Sequence, residues 1–74
     1  MNRIIVNENN FTAEQREAIT KCHNKYFEAL MCDRYSEQVR EEARALKELK
    51  QVIPNVVKLI PNFSKGNDTI IIND

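Results

Sequence analysis

Residues 12–53 read TAEQREAITKCHNKYFEALMCDRYSEQVREEARALKELKQVI. Neither glycine nor proline interrupts these 42 positions, so nothing in the local chemistry forbids helix along them. Thr12 supplies a helix start: its hydroxyl suits the third amide of the first turn, and Gln15 completes a capping box. Phe11, just before the cap, is placed to cover that turn. The apolar phase then divides the stretch. At about 100° per residue, Ile19, Cys22, Tyr26, Phe27 and Leu30 fall on one side, and Tyr35, Val39, Leu46, Leu49 and Ile53 on nearly the opposite side. A single rod would bury opposite faces in its two halves and would need partner subunits on both. Two helices folded back near Cys32–Ser36 satisfy both stripes in one core. The expected fold is therefore mainly α: a helical hairpin of about 12–32 and 36–53. Ser36 is the expected cap of the second helix, with Glu37 in its acid-tolerant first turn. The turn contains no glycine, and one continuous helix over 12–53 remains the alternative.

Outward from this stretch, Pro54 ends the second helix by removing a backbone donor and restraining Ile53. A short third helix is expected from Pro54 through Val56, Val57, Leu59 and Ile60, stopped by Pro61. Asn7–Asn10 reads as a polar break and Asn62–Asp68 as a loop, with Gly66-Asn67 as its turn signal. Two β-prone segments flank the whole, residues 3–6 and 69–72. Three consecutive isoleucines, Ile70, Ile71 and Ile72, suggest a strand buried on both faces. Left unpaired they would form an edge prone to association. The two segments can pair with each other, across a dimer, or with a target protein.

At 74 residues the chain has room for one domain, 1–74. A core of this size supplies only about 3–5 kcal/mol, which favours oligomerisation or another staple. Eleven basic residues balance eleven acidic ones. This evenness argues against a nucleic-acid binder, which concentrates basic charge on one face. A hydrophobic content of 42% argues against a disordered tail. The first residues hold too short an apolar run for a signal peptide or membrane span, so the expected location is the cytoplasm. Cys22 and Cys32 are then expected as thiols. On one straight helix they would stand about 15 Å apart, too far for a disulfide. The abundance of Asn and Ile fits an AT-rich genome.

The candidate chemistry is sparse. Cys22, His23, Cys32 and Asp33 lack the paired spacing of a zinc site, and Cys22 falls on the apolar stripe as a core residue. Cys22 and His23 are neighbours pointing about 100° apart, although His23 could meet Cys32 across the hairpin. A single glycine excludes a glycine-rich phosphate loop. No cofactor, metal or catalytic set is expected, and the chain does not read as an enzyme. Most charges read as solvated faces, with Glu17–Lys21 and Arg44–Glu48 at ordinary i,i+4 spacing. One cluster stands apart. Lys25, Tyr26, Arg34, Tyr35, Arg40 and Arg44 gather near the expected bend, where arginine forks hold phosphate and aromatic rings stack on bases.

The run Arg40-Glu41-Glu42-Ala43-Arg44-Ala45-Leu46-Lys47-Glu48-Leu49, continued to Ile53 and Ile60, resembles the C-terminal helix of the phage anti-defence sponges. These are helical-hairpin proteins that sequester cyclic nucleotide messengers of bacterial immunity. The likeness spans residues 40–60, and Pro54-Asn55 interrupts it where that family continues its helix. It implies a homo-oligomer with nucleotide pockets at its interfaces and transfers no binding residues. The reading favoured by the residues is a small non-enzymatic interaction protein, of the kind phages encode to inhibit or regulate a host protein. A cyclic-nucleotide sponge is the alternative. Expected partners are a protein, a second copy, or a nucleotide, with no membrane and no nucleic acid.

Overall fold

The computed structural model describes residues 2–6, 8–64 and 66–73. Asn7 of the polar break and Lys65 of the loop lie outside them, as do Met1 and Asp74. Strand β1 (Asn2–Ile5) leads through a single 3-10 turn (Glu8–Asn10) into helix α1 (Ala13–Ala29). Helix α2 (Tyr35–Val52) folds back against it, and strands β2 (Val56–Ile60) and β3 (Thr69–Asn73) follow. The two strands flanking β3 both pair with it antiparallel, giving the order β1-β3-β2. The molecule is a helical hairpin laid on one face of a three-stranded sheet.

The capping chemistry at Thr12 forms in both directions. The Thr12 hydroxyl accepts from the Gln15 amide at 3.2 Å, and the Thr12 amide donates to Gln15 Oε1 at 2.9 Å. Phe11 is buried over that turn. The hairpin turn dispenses with glycine by tightening. The amides of Leu30, Met31 and Cys32 donate to carbonyls three residues back, and Arg34 is extended at φ −109°. Helix α2 therefore starts one residue before the expected Ser36 cap. Arg34 takes the cap position without a side-chain hydrogen bond, and its carbonyl accepts from the Glu37 and Gln38 amides.

Two sequence expectations need correction. The segment after Pro54 is not a third helix but β2, and the fold is mixed α/β rather than mainly α. Only five residues separate the Pro54-Asn55 turn from Pro61, and three are β-branched. A helix that short stays marginal, whereas β3 offers a full ladder. A bulge between Val56 and Lys58 shifts the register. Val56 and Leu59 then both point inward, opposite Ile72 and Ile70. Central β3 receives Ile5, Ile4, Arg3 and Asn2 on its other side, opposite Ile70 to Asn73. The run of isoleucines alternates in burial: Ile70 and Ile72 face the helices, and Ile71 faces away.

One contiguous core results. It joins Phe11, Ile19 and Cys22 to Ala45, Leu49 and Ile53, and both to Val56, Leu59, Ile70 and Ile72. Ala29 and Ala45 are buried on the two helices and allow them to approach closely. Both stripes of the sequence phase thus meet in one interior, although their ends differ. Ile19, Cys22, Leu49 and Ile53 are buried, whereas Phe27, Leu30, Tyr35 and Val39 remain exposed. The reason is length. Eighteen residues of α2 extend about 27 Å, and a five-residue strand extends about 17 Å. The sheet covers only the half of the hairpin remote from its turn.

Candidate functional site

The structure divides the six residues singled out by sequence. Lys25, Arg40 and Arg44 line one groove between the two helices. That groove also carries Glu28, Glu37, Glu41 and Glu48. Lys25 donates to Glu48, and Arg44 stands 3.6 Å from Glu41. The bond from Lys25 holds the Glu48 carboxyl below its ordinary value. Four carboxylates against three cations leave the groove without a positive potential for a phosphate. Tyr26 is not there; it turns toward the sheet and lines a separate cavity with Leu59 and Phe63. Arg34 and Tyr35 sit exposed at the hairpin turn.

The residues that do converge are apolar and lie where the hairpin overhangs the sheet. Tyr26, Leu30, Leu59, Pro61 and Phe63 line a cavity of about 280 Å³. Glu42 and Lys58 add one charge of each sign to it. One and two helical turns before Glu42 on α2, on the same side by helical period, come Val39 and Tyr35. Phe27 meets Phe63 edge-on at 5.5 Å between ring centroids. Phe27, Leu30, Tyr35, Val39 and Phe63 are each more than 40% exposed, Tyr35 at 79%. Scattered exposed apolar residues are ordinary on a protein surface; here several gather around one cavity.

A polar clamp fixes one wall of this cavity. Asp68 is buried, and its carboxylate accepts from His23 Nδ1 at 2.9 Å and from the Asn62 amide at 2.8 Å. The His23 ring packs on Phe63 at 5.1 Å. Ser64 donates its amide to Asn62 Oδ1 at 3.0 Å, closing an Asx turn. Gly66 turns the loop at φ 111°, where an added Cβ would also press on Asn62 at 3.2 Å. Asp68 thus ties α1 to the β2–β3 loop and holds Phe63 beside Phe27. His23 meets this carboxylate rather than Cys32, which the hairpin geometry had offered. The pairing spans 45 residues, and no local sequence pattern announces it.

Cys22 is a buried free thiol pushed up to about 11 by desolvation, with the Asp68 charge adding to the effect. Tyr26 is raised to about 12, again chiefly by burial. Neither group is activated as a nucleophile or base near neutral pH, since activation requires a shift toward the operating pH. Among the described residues no three His, Cys, Asp or Glu side chains gather as metal ligands. Among them, too, no helix is long and apolar enough to cross a membrane.

Fold and site together define a small two-layer α/β module with an apolar cavity at the overhang of its helical hairpin. No family model, no curated protein and no solved structure matches the chain.

Proposed function

We propose that this protein is a non-enzymatic binding module that docks a partner protein at the overhang of its helical hairpin. The observation that carries the reading is the cavity between Tyr26, Leu30 and Phe63, flanked by exposed Phe27, Tyr35 and Val39. Its volume, about 280 Å³, suits one or two large apolar side chains. Aromatic anchors around a preformed pocket are the recurrent source of affinity at protein interfaces. The matching partner presents a Leu or Phe anchor on an amphipathic helix, entering between α1 and α2 on the side left open by the sheet. An inhibitor or regulator of a host protein, of the kind phages encode, acts in this way without chemistry of its own.

The sponge alternative draws on the resemblance of residues 40–60 and on Arg40 and Arg44 sharing one groove. The four carboxylates of that groove weigh against it. One comparison separates the two. Partner capture by the native chain is expected to fail with Leu30→Glu or Phe63→Lys and to survive Arg40→Ala with Arg44→Ala. Cyclic mono- and dinucleotides are expected to leave the melting temperature unchanged. Nucleotide-dependent stabilisation abolished by the arginine substitutions would replace the docking reading with the sponge.

A further inference from the structure

The two edges of the sheet are built differently. In the order β1-β3-β2, both β1 and β2 are edge strands. β2 carries the features that discourage pairing with another chain: Pro54 shortly before it, Pro61 directly after it, the bulge between Val56 and Lys58, and the charge of Lys58. β1, Asn2-Arg3-Ile4-Ile5, holds no proline, no bulge and no lysine. A cleft of about 740 Å³ runs beside Arg3, Ile4, Ile5 and Val6 and leaves room along the strand.

The ladder fixes which backbone groups β1 turns outward. The Asn73 amide donates to the Asn55 carbonyl at 2.8 Å, so Asn73 turns its backbone groups toward the β2 side. Backbone groups of successive residues point to alternate sides of a strand. Ile71 therefore also faces β2, and Ile72 and Ile70 face β1, where they oppose Arg3 and Ile5. Those are the hydrogen-bonded pairs of that ladder. Asn2 and Ile4 then present their N–H and C=O groups away from β3, and Val6 follows in the same phase. The Ile4 side chain is 66% exposed.

We infer that β1 is where a second copy of this chain adds, antiparallel and across a two-fold axis, to join two sheets into one. The outward groups of β1 are self-complementary, and that selects a second copy as the occupant. Inter-chain hydrogen bonds form only between outward-facing residues, so the axis can pass by Arg3, Ile4 or Ile5. At Arg3 it sets two guanidiniums against each other. At Ile5 it sets Asn2 against Glu8, where the chain has already entered the 3-10 turn. At Ile4 it pairs residues 2–6 throughout: Ile4 with Ile4, Asn2 with Val6, and Arg3 with Ile5 of the second copy. This register uses the open edge of both copies and leaves a blunted β2 at each end, so assembly stops at the dimer. The docking cavity lies by β2, where Lys58, Leu59 and Ile60 line it, so both copies of it stay accessible.

Sedimentation equilibrium of the full chain, from micromolar to several hundred micromolar, is expected to show a reversible monomer–dimer equilibrium with no larger species. Ile4→Lys and Ile4→Glu each place like charges directly opposite and are expected to weaken the dimer about tenfold or more, with an unchanged far-UV circular dichroism spectrum. Mixed in equal amounts, these two variants are expected to recover a heterodimer, because the register opposes their new charges. Val57→Lys on β2 and Tyr35→Lys on the overhang are expected to leave the equilibrium unchanged. In a Cys32→Ser background, Ile4→Cys is expected to give a disulfide-linked dimer on oxidation, since directly opposed residues stand about 5.5 Å apart, and Arg3→Cys is not. Any of four results would overturn the proposal: a monomer mass at every concentration, a dimer indifferent to both Ile4 charges, a dimer dissociated by Val57→Lys or Tyr35→Lys, or a disulfide from Arg3→Cys in place of Ile4→Cys.

Discussion

Removing the Asp68 carboxylate should unfold much of this protein's stability margin. Asp68→Ala leaves His23 Nδ1 and the Asn62 amide without their acceptor at a side chain only 6% exposed. A buried donor stripped of its partner costs about 1–3 kcal/mol, and hydrogen bonds to a charged group stand at the upper end. Two such losses give about 3–4 kcal/mol. A chain of 74 residues commands only about 4–11 kcal/mol in all at 0.05–0.15 kcal/mol per residue. At about 4–8 °C per kcal/mol, the melting temperature should fall by about 12–32 °C. Asp68→Asn keeps an oxygen for the Asn62 amide and loses the charge facing His23, so it should cost about half as much. The assay is urea unfolding followed by far-UV circular dichroism, because the chain has no tryptophan. His23→Ala and the His23→Ala, Asp68→Ala double variant complete a cycle whose coupling should exceed about 1 kcal/mol. A loss below about 0.5 kcal/mol for Asp68→Ala, the range of ordinary surface substitutions, would refute the clamp.

Other outcomes follow from the same core. Leu49→Ala, at a fully buried position facing the sheet, should cost about 2–5 kcal/mol in the same urea experiment. Thr12→Ala breaks the capping box and should cost about 0.5–2 kcal/mol, with the loss visible as fraying of α1 in amide exchange. Stability should also fall at alkaline pH. The Cys22 thiol ionises near 9.0 when unfolded and near 11 when folded, so its contribution is complete below pH 9 and disappears between 9 and 11. That difference corresponds to about 2–3 kcal/mol. Tyr26, raised from 10.0 to about 12, extends the decline in the same direction. Cys22→Ala should lower stability at pH 8 and flatten the slope between pH 9 and 11; an unchanged slope would exclude the thiol as its source.

The helical hairpin was legible because its signals are local. Capping at Thr12 and the jump of apolar phase between Met31 and Tyr35 each lie within a few turns of chain. The β-prone character of residues 3–6 and 69–72 was legible as well, but their pairing with each other was one of three possibilities the sequence left open, and only the fold selects it. Strand β2 was missed because Val56–Ile60 fits either period over five residues, and Pro54 mimics a helix start. Only the ladder offered by β3 decides between them. The cation cluster drew attention through composition, yet α2 places Glu37, Glu41 and Glu48 within about one turn of Arg40 and Arg44, and folding sets Glu48 against Lys25. The overhang was hidden for a geometric reason. Phe27, Leu30, Tyr35 and Val39 lie on the same stripes as the core residues, and only the shortness of the strands leaves them uncovered.

The position of β3 at the centre of the sheet has a kinetic consequence. Asn2 pairs with Asn73, and both flanking strands rely on a strand that comes after everything else in the described chain. The helical hairpin closes through contacts between sequence neighbours and can form early, whereas β1 must wait for a partner about seventy residues away. During synthesis the apolar undersides of α1 and α2 therefore remain open until the last strand arrives. A nascent or truncated chain lacking Thr69–Asn73 presents a sticky helical pair with no lid, a ready client for chaperones and proteases.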